Sequence, residues 1–378
     1  MRAQVWRRLD YPLLLAVGGL TVYGLMMVHS ATCSPSCDRL LATSSWALRQ
    51  ALYALIGIGA MALATAIDYR AYRTFAYYGY GLCLMLLAAV LTLGRGDVEY
   101  GARRWIPLGF FDFQPSELTK LVLVIVLARF LSDRDGPLSF RRAVISSLFL
   151  VPPLVLVYLQ PDLGTSLSFI FIWFGMVAMA GARPTHLGLL ALAAAVAAPG
   201  GWLMMKEYQR ARISTFFTTL VNPDADPFGE GYNILQARIS IGSGGMFGRG
   251  WLQGTQTQLD YLRVKQSDFI FSVLAEEMGF VGALVLLVLF TLLLFRIIRV
   301  ADKARDDFGR LVAFGIGCTL LFQCVVNLGA NLTLLPVTGV PLPLVSFGGS
   351  AMISLFIAFG ILQSILIRRF RRPFSWSG

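Results

Sequence analysis

Long apolar runs separated by short polar breaks extend along almost the whole chain. Because a bilayer core of roughly 30 Å needs about 20 apolar residues per helix, each such run predicts a membrane span. The pattern predicts ten spans, near residues 12–29, 48–66, 75–93, 117–132, 142–159, 164–181, 185–205, 269–298, 308–331 and 350–367. We therefore expect an all-α polytopic integral membrane protein with one membrane domain over residues 1–378. The first run is long and lacks a clear cleavage site, so it predicts a span and not a cleaved leader.

Two connections between these spans are unusual. Residues 206–268 are predicted to form a long loop between the seventh and eighth spans. Residues 331–349 are mostly apolar but contain three prolines and three glycines, which exclude a continuous helix. Irregular backbone at membrane depth is tolerated only where it is buried in protein or lines a cavity. The second segment is therefore predicted to be a re-entrant loop that walls a groove; an ordinary loop on the lipid headgroups is the alternative.

Composition and charge support a membrane protein and set its orientation. The chain is 56% hydrophobic and 14% charged, with a net charge of +11. Its basic residues are dispersed over short loops, which indicates contact with membrane lipids and no nucleic-acid partner. Eighteen of the 32 Lys and Arg residues lie in the connections and tails on the side of the N-terminus. The positive-inside rule then places both termini in the cytoplasm and segments 206–268 and 331–349 outside.

Few residues remain as candidates for chemistry. No serine-hydrolase elbow, phosphate-binding loop or zinc-type Cys/His spacing occurs in the sequence. The two histidines, His29 and His186, lie at a span end and in an inner loop. Cys33 and Cys37, in the first outer connection, could form a disulfide or remain two thiols. Acid–base chemistry therefore falls to carboxylates.

Asp268 is the carboxylate in the most informative position. It immediately precedes the eighth span. Because a charge at the membrane edge costs free energy, a carboxylate at this position is a candidate for a functional residue. The simpler interpretation is that Asp268 caps this helix, as Asp often does. Ser267 could provide the cap equally well, which would leave Asp268 available for catalysis. Glu276 and Glu277, deeper in the same span, must be paired or neutral.

Basic residues near the outer membrane edge could bind phosphate. Glu117 and Lys120 share one helix face, either as an ion pair between helices or as a polar wall that offers Lys120 to a phosphate. Arg210 and Arg212 could extend towards lipid headgroups, or could bind a diphosphate with two parallel hydrogen bonds. Both alternatives stay open for each pair.

Six motifs in a fixed order resemble one family of membrane proteins. They are GARRWI at 101–106, FQPSE at 113–117, QPDLGT at 160–165, IGSGG at 241–245, DFIF at 268–271 and PVTGVPLP at 336–343. Together these motifs resemble the SEDS family (shape, elongation, division and sporulation), and its elongation members more than its division members. The sequence departs from the family pattern at Ala237, Gln266 and Phe347, where Ser, His and Tyr are usual.

The resemblance implies a peptidoglycan glycosyltransferase of the bacterial cytoplasmic membrane. Such an enzyme polymerises lipid II on the outer face during cell elongation, with a class B penicillin-binding protein as partner. Asp268 corresponds to the essential aspartate, as general base or as ligand of a divalent cation (Mg or Mn). The substrate-binding residues implied by the matching motifs and basic positions are Arg104, Glu117, Lys120, Arg210, Arg212, Gln236 and Ser243. A lipid II flippase and a non-enzymatic scaffold for the penicillin-binding protein are the alternatives.

Overall fold

The computed structural model describes residues 9–33, 46–97, 102–107, 111–133, 138–222 and 231–369, together with Gly109 and Gly136. These residues form three short strands, β1 (Arg95–Asp97), β2 (Ala102–Pro107) and β3 (Asp112–Phe113). They also form thirteen helices: α1 (Tyr11–Thr32), α2 (Trp46–Ala66), α3 (Tyr69–Leu93), α4 (Pro115–Ser132), α5 (Phe140–Leu159), α6 (Leu163–Met179), α7 (Pro184–Met204), α8 (Glu207–Val221), α9 (Tyr232–Ser243), α10 (Thr255–Gln258), α11 (Ile270–Asp302), α12 (Asp307–Asn331) and α13 (Gly349–Arg368). Cys33 is disulfide-bonded, whereas Cys37 lies outside the described residues.

The apolar helices confirm the predicted polytopic membrane fold. Eight described helices are long and apolar enough to cross a membrane, namely α1, α2, α3, α5, α7, α11, α12 and α13. The other two predicted spans coincide with α4 and α6. Helix α4 carries Glu117, Lys120 and Arg129, and α6 has only 17 residues. Ten spans therefore stay a prediction, since length and composition establish eight.

Two segments outside the predicted spans contain regular structure. Residues 206–268 include α8, α9 and α10, because good helix formers such as Glu207, Gln209 and Arg210 follow directly after the break at Met205. Strands β1, β2 and β3 pair antiparallel in that order. The predominantly helical fold is confirmed, and the long connection between the predicted seventh and eighth spans contains short helices.

The core of the bundle is formed by helices at the end of the chain. About 83% of the apolar window of α13 and 67% of that of α12 is buried in the protein, whereas none of α7 is. Helices α2 and α13 approach closely through glycines. A Cβ on Gly57 would lie 2.5 Å from the ring of Phe356, and one on Gly360 would lie 2.5 Å from the carbonyl oxygen of Met61. Small residues at such contacts are how membrane helices pack tightly.

Helix α11 is broken near its start, and a glycine-rich segment repairs the break. Gly279 has φ 67° and ψ −164°, which interrupts the helical hydrogen bonds. The segment 244–250 supplies replacement partners for the freed backbone groups. Four backbone bonds join the two segments: Arg249 N to Glu276 O (2.9 Å), Gly250 N to Glu277 O (3.0 Å), Phe280 N to Gly245 O (2.9 Å) and Val281 N to Met246 O (3.1 Å). The break is tolerated because its polar groups are satisfied by protein.

The two buried glutamates of α11 stabilise the same region. Glu276 accepts bonds from the start of α10, including 2.8 Å from Gln256 N and 2.9 Å from Thr257 Oγ1. Glu277 accepts from Ser30 Oγ at 2.5 Å, which ties α11 to α1. Neither carboxylate forms an ion pair with a described residue. The expectation that one is paired is met by hydroxyl and amide donors, and both residues are structural.

Two glycines of the IGSGG motif should differ in their tolerance of alanine. A Cβ on Gly244 would collide with the carbonyl oxygen of Ala275, while one on Gly242 meets nothing within 4 Å. We expect Gly244→Ala to destabilise the protein by about 1–3 kcal/mol or more, because the backbone contact cannot relax. Gly242→Ala should change stability by less than about 1 kcal/mol. Thermal unfolding of the two detergent-solubilised variants measures the difference, and equal melting temperatures would contradict it.

Candidate active site

Asp268 lies where four parts of the fold meet. It occupies the turn that leads into α11, and its side chain is partly buried. A Cβ on Gly339 would lie 3.8 Å from Asp268 Oδ2, so the irregular segment 332–348 borders the carboxylate. The charges of Arg104 in β2, Asp162 before α6 and Arg212 in α8 also reach it. The structure thus brings Asp268, Arg104 and Arg212, all predicted from the sequence, into one cluster.

The cap of α11 comes from another helix and not from Asp268. The N-cap residue of α11 is Phe269, which offers no side-chain hydrogen bond. Instead, Asn331 Oδ1 at the end of α12 accepts from Ser272 N at 3.2 Å and from Ser272 Oγ at 2.7 Å. The capping interpretation of Asp268 and Ser267 is therefore wrong, because Asn331 already performs that role. The carboxylate of Asp268 is left available for other partners.

Two asparagines of α12 fix the backbone of Asp268. Asn327 Nδ2 and Asn331 Nδ2 donate to the Asp268 carbonyl at 3.1 and 2.9 Å. Asn327 Nδ2 also donates to Val340 O at 2.9 Å, which links the turn to the irregular segment. The sequence analysis missed both residues. The available signal was the four-residue spacing of Gln323, Asn327 and Asn331 within an otherwise apolar helix.

The irregular segment 332–348 is held inside the protein. Leu342, Leu344 and Val345 are buried. Ser346 Oγ donates to Ser267 O at 2.6 Å, and Phe347 N donates to Gln266 O at 2.9 Å. These bonds use the backbone of Gln266 and Phe347, so the absent histidine and phenol are not needed for them. The segment also borders a small pocket that Gln323 and Leu355 help to line. The role of the segment as the wall of a groove stays a prediction.

The guanidinium groups beside Asp268 are positioned by the turn between α5 and α6. Arg104 donates through Nε to Gln160 O at 3.3 Å and through Nη2 to Pro161 O. Tyr208 Oη donates to the same Pro161 carbonyl at 2.6 Å. The guanidinium carbon of Arg212 lies 5.9 Å from the centre of the Tyr208 ring. These contacts hold two positive charges near one partly buried carboxylate.

The surroundings of Asp268 favour a proton acceptor. Burial raises the pKa of its carboxyl above the ordinary value, and the nearby Asp162 carboxylate adds to the rise. The charges of Arg212 and Arg104, and a hydrogen bond from Ser267, oppose it. A carboxylate with a raised pKa is a stronger base than a solvated one, which suits general base catalysis.

Glu117 and Lys120 form a buried ion pair that also lines a cavity. Lys120 Nζ lies 2.7 Å from Glu117 Oε1, and both side chains are about 5% exposed. The cavity has about 340 Å³ of empty space, and Thr319, Gln323 and Ser354 contribute to its polar lining. Gln323 Oε1 is buried without a hydrogen-bond partner among the described residues. The ion pair forms within α4 and not between helices, so that interpretation is wrong in this respect. The binding of a phosphate by Lys120 stays a prediction.

The other three sequence candidates make their described hydrogen bonds elsewhere. Arg210 donates to Trp202 O at 3.1 Å and to Leu203 O at 2.6 Å, so its side chain caps the carbonyl groups at the C-terminal end of α7. Ser243 Oγ donates to Ser240 O at 2.9 Å. The carbonyl of Gln236 accepts from Ser240 Oγ at 2.9 Å, within α9. Arg212 is thus the basic residue of α8 whose charge reaches Asp268, and Arg210 instead stabilises the connection to α7.

Comparison with known proteins identifies relatives over nearly the full length. The family profile described as cell cycle protein, FtsW/RodA/SpoVE, matches residues 11–370. The peptidoglycan glycosyltransferase MrdB of Escherichia coli K12 is 39% identical over 368 residues, which cover 96% of this chain and 94% of MrdB. The stage V sporulation protein E of Bacillus subtilis is 38% identical over 351 residues, covering 92% and 93% of the two chains.

Solved structures agree with the sequence relatives. A chain from a peptidoglycan synthase complex, studied for its coordination of polymerization and crosslinking, superposes with a TM-score of 0.79 at 33% identity and covers 96% of this chain and 99% of its own. The family resemblance inferred from the six motifs is confirmed. The chain therefore belongs to the FtsW/RodA/SpoVE family of cell cycle proteins.

Proposed function

We propose that this protein is a peptidoglycan glycosyltransferase that polymerises lipid II into glycan strands. Its relative MrdB carries the name of that activity and is similar over almost the whole chain. The observation that carries the proposal is the environment of Asp268. A carboxylate that does not cap its helix lies within electrostatic reach of two guanidinium groups and is bordered by the segment 332–348. This is the arrangement that transfer of a sugar from a diphosphate requires.

The reaction assigns one role to the carboxylate and another to the arginines. A sugar 4-hydroxyl attacks the anomeric carbon of the donor, and Asp268 accepts its proton as the new C–O bond forms. The bond from the anomeric carbon to the polyprenyl diphosphate breaks, and its electron pair leaves with the diphosphate. Arg104 and Arg212 stabilise the negative charge that develops there.

The buried ion pair provides the polar end of a lipid-access route. The lipid tail of the substrate belongs in the bilayer and its diphosphate at the interface. Lys120 is held by Glu117 in a cavity between α4, α12 and α13. It would supply positive charge on the route from the membrane to the arginines. Three further residues would lie at the edge of the substrate site: Arg210 at the α7–α8 connection, and Gln236 and Ser243 on α9.

Among the described residues around the proposed site, Asp268 is the carboxylate that would be available to a divalent cation. No group of three or more potential metal ligands lies together among the residues that the structure covers. Both oxygens of Asp162 already accept from Thr165. Asp268 would therefore be the residue that holds Mg or Mn, which would supply positive charge against the leaving group.

The proposal also covers the orientation of the protein in the membrane and the protein with which it acts. The basic inner loops support both termini in the cytoplasm and the Asp268 end of the bundle on the outer face. The sequence motifs, which resemble the elongation members of the family more than the division members, support a role in cell elongation. A structural neighbour forms part of a peptidoglycan synthase complex, which supports a class B penicillin-binding protein as the crosslinking partner of this chain.

Replacing Asp268 should abolish polymerisation without unfolding the protein. Asp268→Asn removes the proton acceptor but keeps the shape, so we expect glycan synthesis to fall by at least about 10²-fold. The measurement is polymerisation of labelled lipid II by the purified protein with its synthase partner. Asp307→Asn is the matched control, because Asp307 is an exposed partner of Arg310 at the opposite end of α12.

The outcomes separate the three candidate functions. Glycan strands from wild type and Asp307→Asn but not from Asp268→Asn support the proposed enzyme. Strands from all three proteins would exclude Asp268 as the base. If wild type makes no strands, with or without Mg or Mn, movement of labelled lipid II across vesicles would identify a flippase, and its absence would favour a scaffold.

The acid limb of the pH–rate profile should respond to Arg212. The proposed base must be deprotonated, so the rate rises with pH through the pKa of Asp268. Arg212 lowers this pKa, and Arg212→Gln should therefore raise it and move the acid limb to higher pH. We also expect the rate to fall by about 10²-fold, because the substitution removes a positive charge that stabilises the leaving group. Arg210→Gln, whose guanidinium closes α7, should leave the position of the limb unchanged. An identical shift in both variants would contradict the assignment.

A further inference from the structure

The length of α11 places one boundary of the hydrocarbon core at the break in that helix. Helix α11 has 33 residues, which extend about 50 Å at 1.5 Å per residue and exceed a core of about 30 Å. Its longest stretch without a charged residue runs from Met278 to Phe295. This stretch is about 27 Å long and therefore coincides with the core. The boundary on the side of Asp268 then lies at Gly279.

The glycine-rich chain that repairs the break lies at the same boundary. We call residues 244–251 the boundary segment. Bonds of 2.9 and 3.1 Å from Phe280 N and Val281 N join its backbone to α11. An independent contact comes from α1, because Trp251 Nε1 donates to Met26 O at 3.2 Å, one turn before the polar end of that helix. Two membrane helices therefore place the boundary segment at one depth.

The boundary segment exposes apolar side chains at this depth. Phe247 is 80% exposed, and Met246 and Trp251 are exposed as well. On the adjacent turn of α11, Phe280 and Val281 are also exposed. An apolar patch facing water is unfavourable, whereas aromatic side chains at the edge of the hydrocarbon core are typical membrane anchors. The patch is thus suited to contact lipid where acyl chains meet headgroups.

The charges around the boundary segment are all positive. Residues 231–259 contain Arg238 and Arg249 and no Asp or Glu. Both arginines are exposed. Arg249 Nε donates to Ser243 O at 3.4 Å, and the guanidinium forms no ion pair with a described residue. A guanidinium beside exposed apolar groups is complementary to the phosphate of an anionic lipid.

We propose that the boundary segment binds an anionic phospholipid in the leaflet on the side of Asp268. Met246 and Phe247 contact the acyl chains, and Arg249 binds the phosphate of the headgroup. A protein partner would cover the same apolar side chains, but two arginines without an acidic residue favour phosphate as the ligand. The bound lipid holds the break of α11 at a fixed depth. The inference does not depend on the enzymatic activity of the protein.

The test measures which lipid contacts the boundary segment. A fluorescent thiol label is attached to Met246→Cys in the full chain, reconstituted into nanodiscs of equal parts phosphatidylglycerol and phosphatidylcholine. Bromine atoms on the acyl chains of one lipid or of the other quench only a label that they contact. The described native cysteines are buried or disulfide-bonded, and protein without the new cysteine measures the background.

The expected result is preferential quenching by the anionic lipid. Brominated phosphatidylglycerol should quench the label about 5-fold more than brominated phosphatidylcholine does, as expected for one basic residue at an anionic surface. Arg249→Gln should bring this ratio close to 1, whereas Arg249→Lys keeps the charge and should retain most of it. Leu259→Cys is the matched control, because Leu259 is exposed just after α10, which Glu276 holds on the water side of the break. Neither lipid should quench a label there.

Four results would overturn the inference. Equal quenching by the two lipids, or an unchanged ratio in Arg249→Gln, would exclude recognition of the headgroup. Absence of quenching at Met246→Cys would show that water or protein covers the boundary segment. Loss of the phosphatidylglycerol signal when lipid II is added to a labelled Asp268→Asn protein would assign the site to the substrate instead.

Discussion

The carbonyl of Asp268 is the point on which the site depends. Asn327 and Asn331 both donate to it, and Asn331 also caps α11 through Ser272. Each such bond contributes a net of about 0.5–1.5 kcal/mol, but leaving a buried carbonyl unpaired costs about 1–3 kcal/mol. The turn is therefore fixed by the backbone and by α12, and the carboxylate remains free to take part in chemistry.

The rest of the bundle supports that arrangement by satisfying backbone groups at irregular places. Segment 244–250 repairs the break of α11 at Gly279, and the glutamates next to it hold α10 and α1. Segment 332–348 is packed by buried apolar residues and tied to the Asp268 turn through Ser346. Non-helical backbone in a membrane protein needs such partners. The polar motifs are thus largely structural, and they leave a small group of charges exposed to a substrate.

Sequence reasoning predicted the helical membrane fold and Asp268 with Arg104 and Arg212, because hydrophobic length and charge near a membrane are local signals. It missed Asn327 and Asn331, whose importance arises from contacts between segments distant in sequence. It named Arg210 as well as Arg212, although residues two apart in a helix point to nearly opposite sides and so contact different neighbours. It also treated residues 206–268 as a loop, since a polar composition does not separate a surface helix from irregular chain.

The structure of an Asn331→Leu variant tests most directly whether α12 frees Asp268 for catalysis. Without the amide, Ser272 N keeps its 3.0 Å bond to Phe269 O but loses the side-chain cap, and the Asp268 carboxylate is the charged group on the same turn that could replace it. We predict that this carboxylate turns to within about 3 Å of Ser272 N and leaves Gly339, with loss of polymerisation in a protein that stays folded. A carboxylate that remains beside Gly339 with full activity would contradict the account.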